Sequence, residues 1–186
     1  FAFTTAEYSA RAIRLVDETV VVDLLNQFRF PDFREKPVKS QLWMEKPGSF
    51  TRADYELYRS SGTRVFGLGA GGASYDAALK WAADWNGFFA GYSDWFLRID
   101  DVGDFARLAR DRSRIGVMLT MQNADHFRTV DDVNTFFALG QRVSQLTYNA
   151  TNRLGSGFLA DTDAGITPYG AEVVITCLST SRDVDE

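Results

Sequence analysis

With 186 residues, 45% hydrophobic and 14% aromatic, and a formal net charge of only −5, the chain has the composition of one folded domain and not of a disordered segment. The charge balance offers no basic patch for nucleic acid, and no apolar run approaches the roughly 20 residues that a membrane-spanning helix needs. The first residues, Phe1-Ala-Phe-Thr-Thr, lack a basic region followed by an apolar core, so the chain reads as soluble; its single cysteine, Cys177, fits a reducing cytoplasm most simply and leaves a periplasmic or secreted setting open.

Val20-Val-Val-Asp-Leu-Leu25 is a short β-branched apolar run and predicts a buried first strand, followed by a Pro-containing loop from Arg29 to Pro47. Thr51-Arg-Ala-Asp54 has the form of a capping box, with Asp in place of the more usual Glu or Gln, and opens a helix expected to stop at Gly62. Thr63 to Leu68 predicts a second strand. Gly67-Leu-Gly-Ala-Gly-Gly72 then satisfies Gly-x-Gly-x-x-Gly and raises dinucleotide binding as an alternative. A dinucleotide-binding unit would place an acidic residue about 20 positions further on, at the end of another strand. That region is instead Trp-rich and helical, so a flexible loop is the preferred reading.

From Ser74 to about Leu97, residues Trp81, Trp85, Phe88, Tyr92 and Trp95 recur at alternating steps of four and three, which places them on one helical face. Asp100, Asp101 and Asp104 with Arg107, Arg110, Arg112 and Arg114 read as a solvated helix face with pairs three and four residues apart. Ile115 to Thr120 predicts a third strand, Thr129 the cap of a helix through Leu139, and Val143 to Thr147 a fourth strand. Alternating strands and helices argue for a parallel sheet with crossover helices, either a closed barrel or a doubly wound open sheet. Asn149-Ala-Thr151 also matches the common glycosylation acceptor pattern.

The stretch Arg142-Val-Ser-Gln-Leu-Thr-Tyr-Asn-Ala-Thr-Asn152, followed by Ala164-Gly-Ile-Thr-Pro-Tyr-Gly-Ala-Glu-Val-Val174, resembles the membrane (renal) dipeptidase family. The family pattern there reads Arg-Tyr-x-x-Leu-Thr-His-Asn, then Gly-Leu-Thr-x-x-Gly-x-x-Val-Val. The resemblance implies an α/β fold of the (β/α)₈ TIM-barrel type, a metal-dependent hydrolase with its chemistry at the carboxyl ends of the strands. A whole barrel takes about 250 residues, so four predicted strands amount to its first four βα units. Residues 1–174 are accordingly expected to be the amino-terminal part of such a barrel, and 175–186 a divergent or truncated tail. The open edges of the first and fourth strands would call for a homo-oligomer or a missing carboxyl-terminal half.

By the same resemblance the first strand should end in Asp-Gly-His-Asn-Asp, whose His and second Asp bind one of two zinc ions. The aligned residues are Asp23-Leu24-Leu25-Asn26-Gln27: Leu25 has no lone pair to offer and Gln27 carries no charge. The bridging Glu of the family aligns with Gln122, followed by Asn123, and the substrate-contacting His aligns with Tyr148. Further metal-binding histidines and an acid/base Asp of the family have no counterpart here. The expectation is a chain without metal or other cofactor, inactive as a dipeptidase or repurposed. In it Asn26, Gln27, Gln122, Asn123, Tyr148 and Asn149 line a polar cleft for a small polar or peptide-like ligand. The alternative is a non-catalytic binding or structural protein. His126, the only histidine, has a side chain suited to proton transfer but reads as a solvated loop residue, and Cys177 as a small buried hydrophobe.

Overall fold

The computed structural model describes residues 8–26, 28, 39–70 and 74–182. Of these, the residues up to Gly67 together with Phe88–Val117 form one compact unit, and Leu68–Gly87 with the residues from Met118 onward form a second. No helix among the described residues is long and apolar enough to cross a membrane.

The first unit opens with helix α1 (Ala10–Glu18), whose first turn is capped by the Ser9 hydroxyl accepting from the Ala12 N–H. Strand β1 (Val22–Asn26) follows. The expected burial of this strand is not found: Val22, Leu24 and Leu25 are all exposed, because no described element covers them. Strand β2 (Val65–Ala70) lies beside β1 in the same direction, with the Val65 N–H donating to the Val21 carbonyl at 3.1 Å and Gly67 opposite Leu24. The strands meet so closely there that a Cβ on Gly67 would stand 2.8 Å from the Leu24 carbonyl oxygen. Gly67 to Ala70 is therefore strand and not the flexible loop expected from the glycine pattern; Gly71 and Gly72 lie outside the described residues.

Within the stretch expected to be loop, Lys39–Glu45 forms helix α2, held by the buried Trp43. So short a helix takes its stability from packing and leaves little periodicity to detect. Helix α3 (Arg52–Arg59) has the predicted capping box complete, with the Asp54 N–H donating to Thr51 Oγ1 and the Thr51 N–H donating to the Asp54 carboxylate. Its buried face, Tyr55 and Tyr58, joins an aromatic core. Phe28 stacks on Tyr58 with ring centroids 4.0 Å apart, Trp43 meets Phe50 edge-on at 4.9 Å, and Phe50 meets Phe88 at 5.3 Å. Phe28 is fully buried with φ at +52°, a left-handed conformation that a bulky residue adopts only where its surroundings compel it.

Helix α4 (Tyr75–Gly91) stops six residues before the expected end near Leu97. Tyr92 and Trp95 lie in a turn that leads into β3 (Phe96–Arg98), which pairs in parallel with the start of β4 (Ile115–Met121), Phe96 opposite Ile115. Strand pairing, through the Ile115 N–H to the Trp95 carbonyl at 2.9 Å, takes precedence over continued helix. The aromatic stripe is accordingly divided: Trp81 packs against the core of the second unit, while Phe88, Tyr92 and Trp95 belong to the aromatic core of the first. Helix α5 (Val102–Arg110) carries a second capping box, Asp101 with Asp104. Asp104 is buried, which corrects the reading of that charge run as wholly solvated, although its pair with Arg107 at 2.7 Å has the expected spacing.

In the second unit, the Gln122 N–H donates to the Ala70 carbonyl at 2.6 Å and Thr120 Oγ1 to the Leu68 carbonyl at 2.9 Å, so β2 and β4 run alongside each other in the same direction. Helix α6 (Asp131–Ala138) has Val130 at its cap position, with no side-chain cap. Thr129 is not the cap; the Asp132 carboxylate instead accepts the backbone N–H groups of Arg128 and Thr129. Strand β5 (Gln141–Ser144) pairs in parallel with β4, with a one-residue bulge at Arg142, and helix α7 (Pro168–Arg182) closes the unit. Its core is Ala78, Met121, Ala124, Phe127, Val133, Phe136, Leu154 and Val173.

The sheet order is β1-β2-β4-β3, with β5 also on β4. Apart from the short β3, consecutive strands are neighbours in chain order without the reversal that defines a doubly wound sheet. That is the progression of a (β/α) barrel, part of which this chain forms.

Candidate functional site

Of the site residues foreseen in the sequence, Asn26 ends β1, Gln122 and Asn123 follow β4, and Tyr148 and Asn149 lie in the segment after β5. In the first unit, β1 ends in a closed set of local hydrogen bonds. The Asp23 carboxylate accepts from the Leu25 N–H and from Asn26 Nδ2, each at 3.0 Å, and Asn26 Oδ1 accepts from the Phe28 N–H at 2.7 Å. The carboxylate and amide that a ligand might have used thus fix the turn that delivers Phe28 to the aromatic core. Leu25, 61% exposed, offers only hydrocarbon. Gln27 lies outside the described residues.

In the second unit, Gln122 and Asn123 are the first residues after β4 and both are partly buried. The Gln145 N–H donates to the Met121 carbonyl at 2.9 Å, and the Ala124 N–H to the Leu146 carbonyl at 3.3 Å, so the segments leaving β4 and β5 are joined. Tyr148 is 47% exposed and Asn149 is exposed. Their carbonyls accept the N–H groups of Phe158 and Leu159 at 2.8 and 2.9 Å, which folds the following loop back on them. The organiser of that loop is Asn152, which sequence reasoning did not single out. Its Nδ2 donates to the Leu146 carbonyl at 2.8 Å, while its Oδ1 accepts from the Leu154 N–H at 2.8 Å. An Asn three residues past the Tyr148-Asn149 pair was the available signal, because such side chains habitually bond nearby backbone.

His126 is not solvated, as its charged neighbours Asp125 and Arg128 suggested; it is 1% exposed. Its ring packs 4.1 Å from Phe127 and 4.6 Å from Phe136, centroid to centroid, and its Nε2 is paired with Gln141 Oε1 at 3.0 Å. Burial pushes the imidazole below its ordinary pKa, against the opposing effect of the Gln141 bond. A general base must reach the proton it takes, and this ring is enclosed in the core. Burial likewise raises the Cys177 thiol, which packs half-buried against the same core and has no neighbouring base to activate it. Among the described residues no group of three or more His, Cys, Asp or Glu side chains is gathered as a metal would require.

No protein-family model and no curated protein sequence matches the chain. Solved structures do match. An amidohydrolase from Pseudomonas aeruginosa superposes with a TM-score of 0.70 at 19% identity, over 90% of this chain and 46% of that one. The dipeptidase AC, a metallopeptidase, superposes with a TM-score of 0.62 at 16% identity, over 88% of this chain and 54% of that one. The chain has the fold that these two solved structures share over the matched part. The resemblance read from Arg142–Asn152 and Ala164–Val174 thus has a counterpart in three dimensions, and the chain spans about half the length of either solved structure.

Proposed function

We propose that the chain is a dipeptidase-like barrel protein that has given up two-zinc hydrolysis and binds a small polar or peptide-like ligand through the neutral side chains at its strand ends. The observation that carries this reading is the end of β1, where Asp23 and Asn26 are committed to each other and to the backbone and Leu25 has no donor atom. Gln122 supports it from the end of β4. Two dications about 4 Å apart repel by on the order of 15 kcal/mol even at an effective dielectric of 20, and a neutral amide cannot offset that. A dinuclear zinc centre therefore does not fit these residues. On this reading Gln122, Asn123, Tyr148 and Asn149, all in the second unit, are the ligand contacts, with Tyr148 as a hydrogen-bond donor. Residues 1–174 correspond to the amino-terminal part of a barrel and 175–186 depart from its pattern. A second copy or a carboxyl-terminal half supplies the remaining strands.

The competing reading, a zinc-dependent dipeptidase, draws on the fold shared with the metallopeptidase. Metal analysis of the purified protein, with turnover of L-Ala-D-Ala and of an L,L-dipeptide measured with and without added zinc, separates the two. We expect no stoichiometric zinc and no turnover in either condition. Two zinc ions per chain with chelator-sensitive hydrolysis would refute the proposal.

A further inference from the structure

At the opposite ends of the strands, the first unit contains a cavity of about 240 Å³ bordered by the residues that precede β1 and β2 and by the first residue of β4. This is below the roughly 300–1,000 Å³ of drug-sized ligand pockets, so an occupant must be small. Three arginines from separate parts of the chain line it: Arg59 at the end of α3, Arg64 just before β2, and Arg112 after α5.

Backbone carbonyls hold two of them in place. Arg64 Nη2 donates to the carbonyls of Leu108 and Asp111 at 2.8 and 3.0 Å, its Nη1 to that of Arg112 at 3.3 Å, and Arg112 Nη2 donates to the Asp17 carbonyl at 2.6 Å. Neither Arg64 nor Arg112 forms an ion pair among the described residues, and Arg59 reaches only Glu56, at 3.7 Å. Asp17 and Glu18 also border the cavity, yet neither is ion-paired with these arginines. Burial, and then the like charge of Arg112, press Arg64 below its ordinary pKa, with Tyr55 and Asp111 acting in the opposite direction.

We infer that this cavity binds a tetrahedral oxyanion, phosphate or a small phosphomonoester, between Arg59, Arg64 and Arg112. The three arginines outnumber Asp17 and Glu18 in the lining, so the cavity keeps an excess of positive charge that an entering anion offsets. Guanidinium forks match the paired oxygens of phosphate, and a tetrahedral anion offers oxygens to more than one of them where a planar carboxylate offers a single edge. The site lies away from the carboxyl ends of the strands and is independent of whatever binds there.

Calorimetric titration of the 186-residue chain at low ionic strength with inorganic phosphate, and separately with glycerol 3-phosphate, tests the inference. Saturable binding of either anion is expected, the tighter of the two identifying the natural source as free phosphate or a phosphorylated metabolite. Arg112→Gln and Arg59→Gln should each weaken it tenfold or more, with far-UV circular dichroism unchanged. Arg59→Gln keeps the test decisive should loss of the Arg112 bond to Asp17 disturb folding. Lys80→Gln, in the second unit, should bind as the parent does. Absence of saturable binding, heats no larger than those of sodium chloride at equal ionic strength, or binding unaltered in both arginine variants would overturn it.

Discussion

Replacing His126 with Phe tests the account of the second unit's core most directly, because this is the only histidine in the chain. Burial depresses its pKa in the folded state, so the folded protein carries a neutral imidazole where the unfolded chain takes up a proton below about pH 6.5. The sign follows. The unfolded state binds more protons, so the contribution of His126 is complete above about pH 6.5 and is lost as pH falls through the folded-state value. One proton sets a limiting slope of about 1.4 kcal/mol per pH unit. Carboxylates titrate mainly near pH 4 and leave the upper part of that window to the imidazole. The Phe ring keeps the packing against Phe127 and Phe136 but leaves buried Gln141 without its partner, at a cost of about 1–3 kcal/mol at neutral pH. Urea unfolding followed by tryptophan fluorescence, at several pH values between about 5.5 and 7.5, gives both quantities. His126→Phe should start less stable and stay flat while the parent declines, so that the two converge. Parallel pH dependences would show that the imidazole is not held neutral in the core, and the reasoning would fail.

Phe28→Ala should cost about 3–5 kcal/mol in the same urea assay, because the side chain is fully buried, stacks on Tyr58 and meets Trp43 and Phe66 edge-on at 6.0 and 5.9 Å. Gly67→Ala places a methyl group against the Leu24 backbone, which cannot yield as a side-chain tip would; a loss of about 1–3 kcal/mol, seen as a lower melting temperature, is expected, and an unchanged midpoint would mean that β1 is not seated there.

The elements that could be read in advance are those whose signal is local. Thr51 and Asp54 announce their own helix because each side chain bonds the backbone of the other, and β4 declares itself as an unbroken apolar run because both of its faces are covered. What escaped prediction depends on distant partners. Helix α2 forms where Trp43 finds Phe28 and Phe50, residues that lie outside the helix on either side of it. The aromatic period of α4 continues past Gly91 although the helix does not, because Trp95 is drawn to β4. Composition marked Val22, Leu24 and Leu25 as core, but hydrophobicity records only that a side chain favours burial and not whether anything covers it.

The same distinction governs the site. That Leu25 has no donor atom and Gln122 no charge follows from their chemistry alone; how the residues beside them are used does not. Asp23 and Asn26, the two positions this chain shares with the family's first-strand pattern, bond each other and present Phe28 to the aromatic core. Leu24, Leu25 and Gln27 differ from that pattern, and Leu25 and Gln27 align with its two metal ligands. A strand end of this kind serves two separable purposes: holding a turn, which burial of Phe28 continues to require, and holding a metal, which nothing else in the fold depends on. The stability cost of Phe28→Ala therefore measures why Asp23 and Asn26 persist, quite apart from any catalysis.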